Sequence, residues 1–316
     1  MNPHIVLVCD LPVPPKKAYG GTERVVAWLA KELIQTDRYR VTLISPAGGS
    51  CIPGVDHLHV TCREEALRLI PRAANIVHFH GWLPDDLDSH QNWLMTLHGN
   101  EPNPESLPLQ CCCISKDHAV RHGRSLFVYN GIDPAEYLFR PTKQDHLLYF
   151  SKVRRRVKGA AEAIDLALQC GLDLRICGGT RLDLIKLGAL WKSFSPQIKV
   201  LGEIDGVQKA REFASASLFL FPIAWEEPFG LVLVESLMSG TPVLARPRGS
   251  VSELINRDVG GTYSSMSDFE DELERCRSLS NKACRDYALT YFSSSVMAER
   301  YAAIYERIMD NDRAIF

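Results

Sequence analysis

The feature that most restricts the fold is a succession of short apolar runs separated by polar turns and helix-periodic stretches. Residues 5–8, 41–44, 76–79, 93–97, 109–114 and 126–128 form one set of such runs. Residues 147–150, 172–177, 198–201, 218–221 and 243–245 form a second. The stretch 23–34 shows the apolar spacing of an amphipathic helix between the first two runs. Strand–helix alternation favours a parallel sheet with helices on both faces, because each parallel crossover needs a long connection. Residues 134–145 are polar and turn-rich and read as a linker between the sets. The chain of 316 residues is long enough for two domains, each with its own core. Two Rossmann-like halves are therefore expected. Neither carries a Gly-x-Gly-x-x-Gly turn, so the dinucleotide fingerprint is missing.

Composition narrows the function classes. A net charge of −2 gives no support to nucleic-acid binding as the main role. Apolar and charged fractions of 46% and 23% are those of a soluble globular chain. No apolar run approaches the ~20 residues that a membrane-spanning helix needs. The opening MNPHIVLVCD lacks a basic leader and reads as a first buried strand, not a signal peptide. Ten cysteines are many, yet no Cys-x-x-Cys occurs. Cys111, Cys112 and Cys113 fall inside an apolar run, where cysteine behaves as a small hydrophobe. Reduced thiols in a cytoplasmic protein, with no metal site, are the expectation.

The stretch 221–253, FPIAWEEPFGLVLVESLMSGTPVLARPRGSVSE, holds the densest chemistry. Pro228 and Gly230 mark a loop after an apolar strand, and residues 231–238 run at helical spacing to Ser239 and Gly240. The first amides of a helix lack intrahelical partners, so Phe229, Gly230 and Leu231 can donate to an oxygen-rich ligand. Glu227 stands at the mouth of that helix and Glu235 about two turns on, near the same face. A carboxylate takes two hydrogen bonds, which suits a vicinal diol. An isolated pair at this spacing is usually two solvated charges.

The pair is not isolated. The run EEPFGLVLVESLMSGTPVLARPRGSVSELI closely resembles the signature of retaining glycosyltransferases of family four. That resemblance implies an α/β fold of the GT-B type, two Rossmann-like domains with parallel sheets facing a central cleft. It places the N-terminal, acceptor-side domain at 1–140 completed by a helix at 295–316, and the donor-side domain at 141–294. The last helix is amphipathic, with Val296, Tyr301, Ile304, Tyr305 and Ile308 on one side.

Other patches fit the same picture. Gly20-Gly21-Thr22 precedes the first helix, where paired glycines permit close backbone approach and Thr22 can cap. The family's similar segment, here including Tyr19, faces donor phosphates or the transferred sugar. The basic run 152–158 follows a strand, where open α/β sheets bind ligands. Lys152 and Lys158 there suit a diphosphate. Lys158-Gly159 matches the family, whereas arginine is usual at the place of Lys152; Lys152 and Arg154 both stay open for the phosphate contact. The resemblance gives His98 a place beside the transferred sugar, with His80 behind it, and sets Ile204 by the nucleotide base. The Asp-x-Asp triplets at 86–88 and 310–312 lie outside strand ends and are set aside as metal ligands.

The implied activity is metal-independent, retaining transfer of a hexosyl unit from a UDP- or GDP-sugar to a hydroxyl of a glycan, lipid-linked or small-molecule acceptor. Glu227, His98, Lys158 and Lys152 would act on the reacting groups, with Glu227 facing the lysines across the cleft. Gly20, Gly21, Arg154, Ile204, Phe229, Gly230, Leu231 and Glu235 would hold the donor. Polysaccharide assembly and natural-product decoration both fit, and weak peripheral membrane contact stays open. A nucleotide-sugar epimerase and a non-catalytic nucleotide-sugar-binding protein are the rivals.

Overall fold

The computed structural model describes residues 2–15, 20–84, 92–312, 314 and 316. Tyr19 and the triplet 86–88 lie outside them. The chain divides into two compact units, Met1–Asp133 with Phe292–Phe316, and Pro134–Tyr291.

In the first unit the chain runs through β1 (His4–Cys9), α1 (Gly21–Gln35), β2 (Arg40–Ser45), β3 (Asp56–His59) and α2 (Arg63–Leu69). It continues through β4 (Ile76–His80), β5 (Trp93–Thr96), β6 (Cys111–Cys112) and α3 (Lys116–Arg121). The second unit holds β7 (Gln144–Phe150), α4 (Ala160–Gln169), β8 (Leu174–Cys177), β9 (Ile198–Gly202), α5 (Gly206–Ser215) and β10 (Ala216–Phe221). There follow α6 (Leu231–Met238), β11 (Val243–Ala245), α7 (Val251–Leu254), β12 (Gly260–Thr262), α8 (Met266–Arg277) and α9 (Asn281–Phe292), whose last residue already belongs to the first unit. Helix α10 (Ser294–Met309) belongs to the first unit.

Each unit contains one six-stranded parallel sheet. The orders are β3-β2-β1-β4-β5-β6 and β12-β11-β10-β7-β8-β9. Counted from the first strand of each unit, these are one order, 3-2-1-4-5-6, and it is the doubly wound arrangement. Central strands are buried on both faces: every residue of β1 and β4 is buried, as are Leu147 to Phe150 of β7. Branched and aromatic side chains dominate them, which is what a sheet covered by helices on both sides demands. The core of the second unit packs Leu147, Tyr149, Ile164, Leu174, Ile176, Leu218 and Leu220 beneath α4 and α8.

Several sequence expectations change. Residues 126–128 form no strand, only a single bridge from Phe127 to Cys113. Two edge strands, β3 and β12, were not expected. Thr22 does not cap α1: the helix already begins at Gly21, with Gly20 as its N-cap and no side-chain cap bond. Helix α10 lies against α1 in its own unit, where Ser294 Oγ donates to Glu32 Oε1 (2.6 Å) and Tyr305 packs edge-on to Tyr39.

Candidate active site

In a doubly wound sheet, loops leave the two central strands in opposite directions and open a crevice at their carboxyl ends. In the second unit those strands are β7 and β10, paired with Phe219 beside Leu148. The loop after β7 ends at Gly159, with φ +79°, where a Cβ would lie 1.9 Å from the Pro222 carbonyl oxygen. Only glycine lets these two backbones pass so closely. The Ala224 amide donates to Val157 O (2.8 Å), lacing the loops together.

That lacing sets three side chains on one point. Lys158 Nζ lies 2.6 Å from Glu227 Oε2, and Trp225 Nε1 donates to the same oxygen at 2.7 Å. The ammonium also sits 4.8 Å from the centre of the Trp225 ring, within range of the ring's negative face. The Lys158 and Glu227 side chains are each 12% exposed, so the pair is desolvated yet reachable. Among the described residues Glu227 Oε1 accepts no hydrogen bond. A third loop, after β11, braces Glu227 from behind. Gly249 has φ +59° and would carry a Cβ 2.3 Å from Glu227 O. Its amide donates to Glu226 Oε2 (2.6 Å), the Ser250 amide to Glu227 O (3.0 Å), and Ser250 Oγ to Phe229 O (2.7 Å).

Two expectations need correction. Glu227 does not face its lysine across a gap between domains: both residues stand on the second unit, in direct contact. Nor do Glu227 and Glu235 lie two turns apart on one helix face. Glu227 sits in the loop before α6, and Gly230 turns the chain through the left-handed region (φ +84°) before the helix starts. Helical periodicity cannot run through that turn. Glu235 is fully buried; its Oε1 accepts from Lys209 Nζ (2.6 Å) and Tyr137 OH (2.9 Å), with the ammonium over the Phe150 ring. It ties α6 to α5, and its carboxylate is enclosed by Lys209 and Tyr137.

The remaining donor-side residues are dispersed around this centre. Lys152 and Arg154 are exposed on the β7 loop. Phe229 is a buried plug ahead of α6, and Leu231 is that helix's first, half-buried residue. Ile204 is buried just past Gly202, whose φ of +83° ends β9.

The first unit carries its own cluster at the same edge of its sheet. His98 follows β5, and its Nε2 lies 3.0 Å from His80 Nδ1 at the end of β4. His78 Nδ1 bonds Tyr305 OH (2.7 Å) and its Nε2 bonds Thr96 Oγ1 (2.8 Å). Burial pushes His98 down to about 4, and holds His78 and His80 well below the usual histidine range. These imidazoles are neutral at pH 7 and act as hydrogen-bonding groups, not cations. Gly20 and Gly21 stand at the start of α1.

Sequence reasoning missed Trp225, Lys209 and a clamp made by α3. His118 Nε2 donates to Gly99 O (3.0 Å), Arg121 to Asn100 Oδ1 (2.9 Å), and the Glu101 amide to His122 Nε2 (2.9 Å). Two side chains of α3 and the imidazole of its C-cap His122 thus fix the loop that follows His98. His118, His122 and Cys113 place ligand atoms within 4.8 Å of one another, the one such group among the described residues. Both His122 nitrogens are already used, since Nδ1 donates to His118 O (2.7 Å). The donor set is spent on the loop and does not suit a metal. Asp312 is held by Arg307 on α10.

Residues 138–283 match the family described as glycosyl transferases group 1. Among curated relatives, an uncharacterized 41.2 kDa protein in the cps region of Klebsiella pneumoniae is 30% identical over 33% of this chain and 31% of its own length. A phosphatidyl-myo-inositol mannosyltransferase of Mycobacterium leprae is 25% identical over 49% of this chain and 38% of its own. The matches thus span about a third of those relatives. The crystal structure of AviGT4, a glycosyltransferase involved in avilamycin A biosynthesis, superposes with a TM-score of 0.81, at 24% identity, over 97% of this chain and 98% of that one. The chain has the GT-B fold, and its residues 138–283 are similar to the glycosyl transferases group 1 family.

Proposed function

We propose that this protein is a retaining glycosyltransferase that moves a hexosyl unit from a UDP- or GDP-sugar to an acceptor hydroxyl. One observation carries the reading: Lys158, Trp225 and Glu227 converge at the central crevice of the second unit, just ahead of the α6 N-terminus. A nucleotide-diphosphate sugar presents there a dianionic leaving group beside a polyol ring. An ammonium has three hydrogens, and Glu227 takes one; the others are free in direction to meet phosphate oxygens. Lys152 and Arg154, on the same loop, add exposed positive charge. Glu227 Oε1 accepts from a sugar hydroxyl while Oε2 stays fixed by Lys158 and Trp225. The amides of Gly230 and Leu231, ahead of the helix ladder, add dipoles toward negative charge.

In the reaction the bond from the anomeric carbon to the phosphate oxygen breaks, and that oxygen keeps the electron pair. Charge grows on the diphosphate and an oxocarbenium character on the sugar. Fixed cations and amides that meet the first charge lower the barrier without reorganising. The acceptor oxygen bonds on the face the diphosphate leaves, and its proton passes to the leaving phosphate, so no second carboxylate is required. In the first unit the neutral His98 is proposed for a sugar hydroxyl and the Gly20–Gly21 turn for phosphate. Glu235, held by Lys209, positions α6 and is proposed for the ribose hydroxyls of the donor.

The test is release of nucleoside diphosphate from a panel of UDP- and GDP-sugars, with and without candidate sugar and lipid-linked acceptors. Acceptor-dependent release from one donor is expected. Conversion of a donor to its epimer with no acceptor requirement, or binding with no release, would replace this reading by one of its rivals.

A further inference from the structure

The crossover from β8 to β9 departs from its neighbours. In place of an α-helix it uses two 3₁₀ segments, Arg181–Leu187 and Lys192–Phe194. Such turns bury few residues, and here they leave large apolar groups uncovered. Trp191 is 83% exposed, Leu182 72%, Phe194 59% and Ile185 53%. Trp191 and Leu182 are the most exposed large hydrophobic residues in the described chain. In a 3₁₀ helix residues three apart eclipse, so Leu182 and Ile185 share one side. The Trp191 and Phe194 rings stand 6.2 Å apart, and the Arg181 guanidinium lies 5.2 Å from the Phe194 ring. Between residues 181 and 194 stand the cations Arg181, Lys186 and Lys192; Asp183 is spent on capping Thr180, and Lys192 pairs with Asp165 (2.6 Å) at the exposed surface, so the rim keeps a net positive charge. Arg156 reaches the Lys186 carbonyl (3.3 Å), extending the positive rim.

We propose that this surface docks the protein on an anionic lipid bilayer. An apolar tip led by tryptophan, ringed by lysine and arginine, is what a headgroup boundary selects: the rings enter the interface while the cations meet lipid phosphates. A protein partner would be expected to bring carboxylates for those cations, and it is the alternative the experiment must exclude. No helix among the described residues is long and apolar enough to cross a membrane, so attachment through this surface is peripheral.

The experiment sediments the full chain with vesicles of phosphatidylcholine alone and of phosphatidylcholine and phosphatidylglycerol in equal parts. Binding is expected only to the anionic vesicles and should weaken in high salt. Trp191→Ser with Phe194→Ser should abolish most of it, with an unchanged melting temperature and unchanged donor affinity. Lys186→Ala with Lys192→Ala should weaken it roughly ten-fold. A control with Leu109→Ser and Val120→Ser, exposed elsewhere, should bind like the wild type. Absence of vesicle binding overturns the proposal, as does an equal loss in the control. So does a wild-type dimer that becomes a monomer in the Trp191→Ser and Phe194→Ser variant, because a second copy would then be the occupant.

Discussion

The two units share one strand order and differ in what that order presents. Neutral imidazoles mark the first sheet: His80 at the carboxyl end of β4, His98 after β5, and His78 one pleat deeper in β4. The second unit carries ion pairs, Lys158 with Glu227 at its carboxyl edge and Lys209 with Glu235 buried between α5 and α6. Nine of the ten histidines fall in residues 1–133. A common topology thus decides where loops emerge, and the side chains decide whether the crevice meets a ligand with charge or with hydrogen bonds alone. The second unit is equipped for an anion.

The contrast predicts different sensitivities. The largest effect is expected at the buried pair of the second unit. Lys209→Met leaves the Glu235 carboxylate, which has no exposure, without its cation, and should cost about 3–5 kcal/mol in denaturant unfolding. A loss under 1 kcal/mol would mean that Glu235 is neutral or hydrated, and the contrast between the units would weaken.

Acid should act chiefly on the first unit. His78, His80 and His118 are buried, and burial holds each below its unfolded value near 6.5, His118 at about 3. Below pH 6.5 the unfolded chain binds protons that the folded chain refuses, so stability falls with falling pH. The slope is up to about 1.4 kcal/mol per pH unit for each such histidine, continuing toward pH 3–4. Hydrogen exchange between pH 7 and 5 should show opening in β4 and α3 before β7 and β10. The reverse order would break the comparison.

Gly249→Ala should give a smaller but telling effect. The added Cβ meets Glu227 O and the φ of +59° is strained, so a loss of about 1–2 kcal/mol is expected. Because the collision is with the Glu227 backbone, donor turnover should fall about ten-fold with little change in the first unit's exchange. Equal turnover would show that the brace behind Glu227 is dispensable.

How much of this was legible in the sequence follows from what each residue does. The central strands were readable, since burial on both faces leaves a continuous apolar run, as in residues 218–221. The missed strands are both edges. Strand β3 reads DHLH and is largely exposed, while β12 is GGT, two glycines chosen for close packing: a Cβ on Gly260 would lie 2.4 Å from Val243 O. Neither carries an apolar signal. The Lys158–Glu227 centre was legible by position, because both residues follow central strands. Its partner Trp225 was not sought, although an indole two residues from a carboxylate offers a donor. Lys209 was illegible, since lysine is ordinarily solvated and nothing in α5 announces a buried cation. The spacing from Glu227 to Glu235 does not run at helical pitch, because the left-handed turn at Gly230 interrupts it before α6 begins.

The most direct test of the account is a calorimetric titration of the wild type and Lys158→Met with UDP-glucose, UDP-galactose and GDP-mannose. At least one donor should bind the wild type, and the substitution should weaken that donor roughly 30-fold, the loss of one charged hydrogen bond to phosphate. Equal affinity in the two proteins would contradict the assignment of Lys158 and Glu227 to an activated sugar.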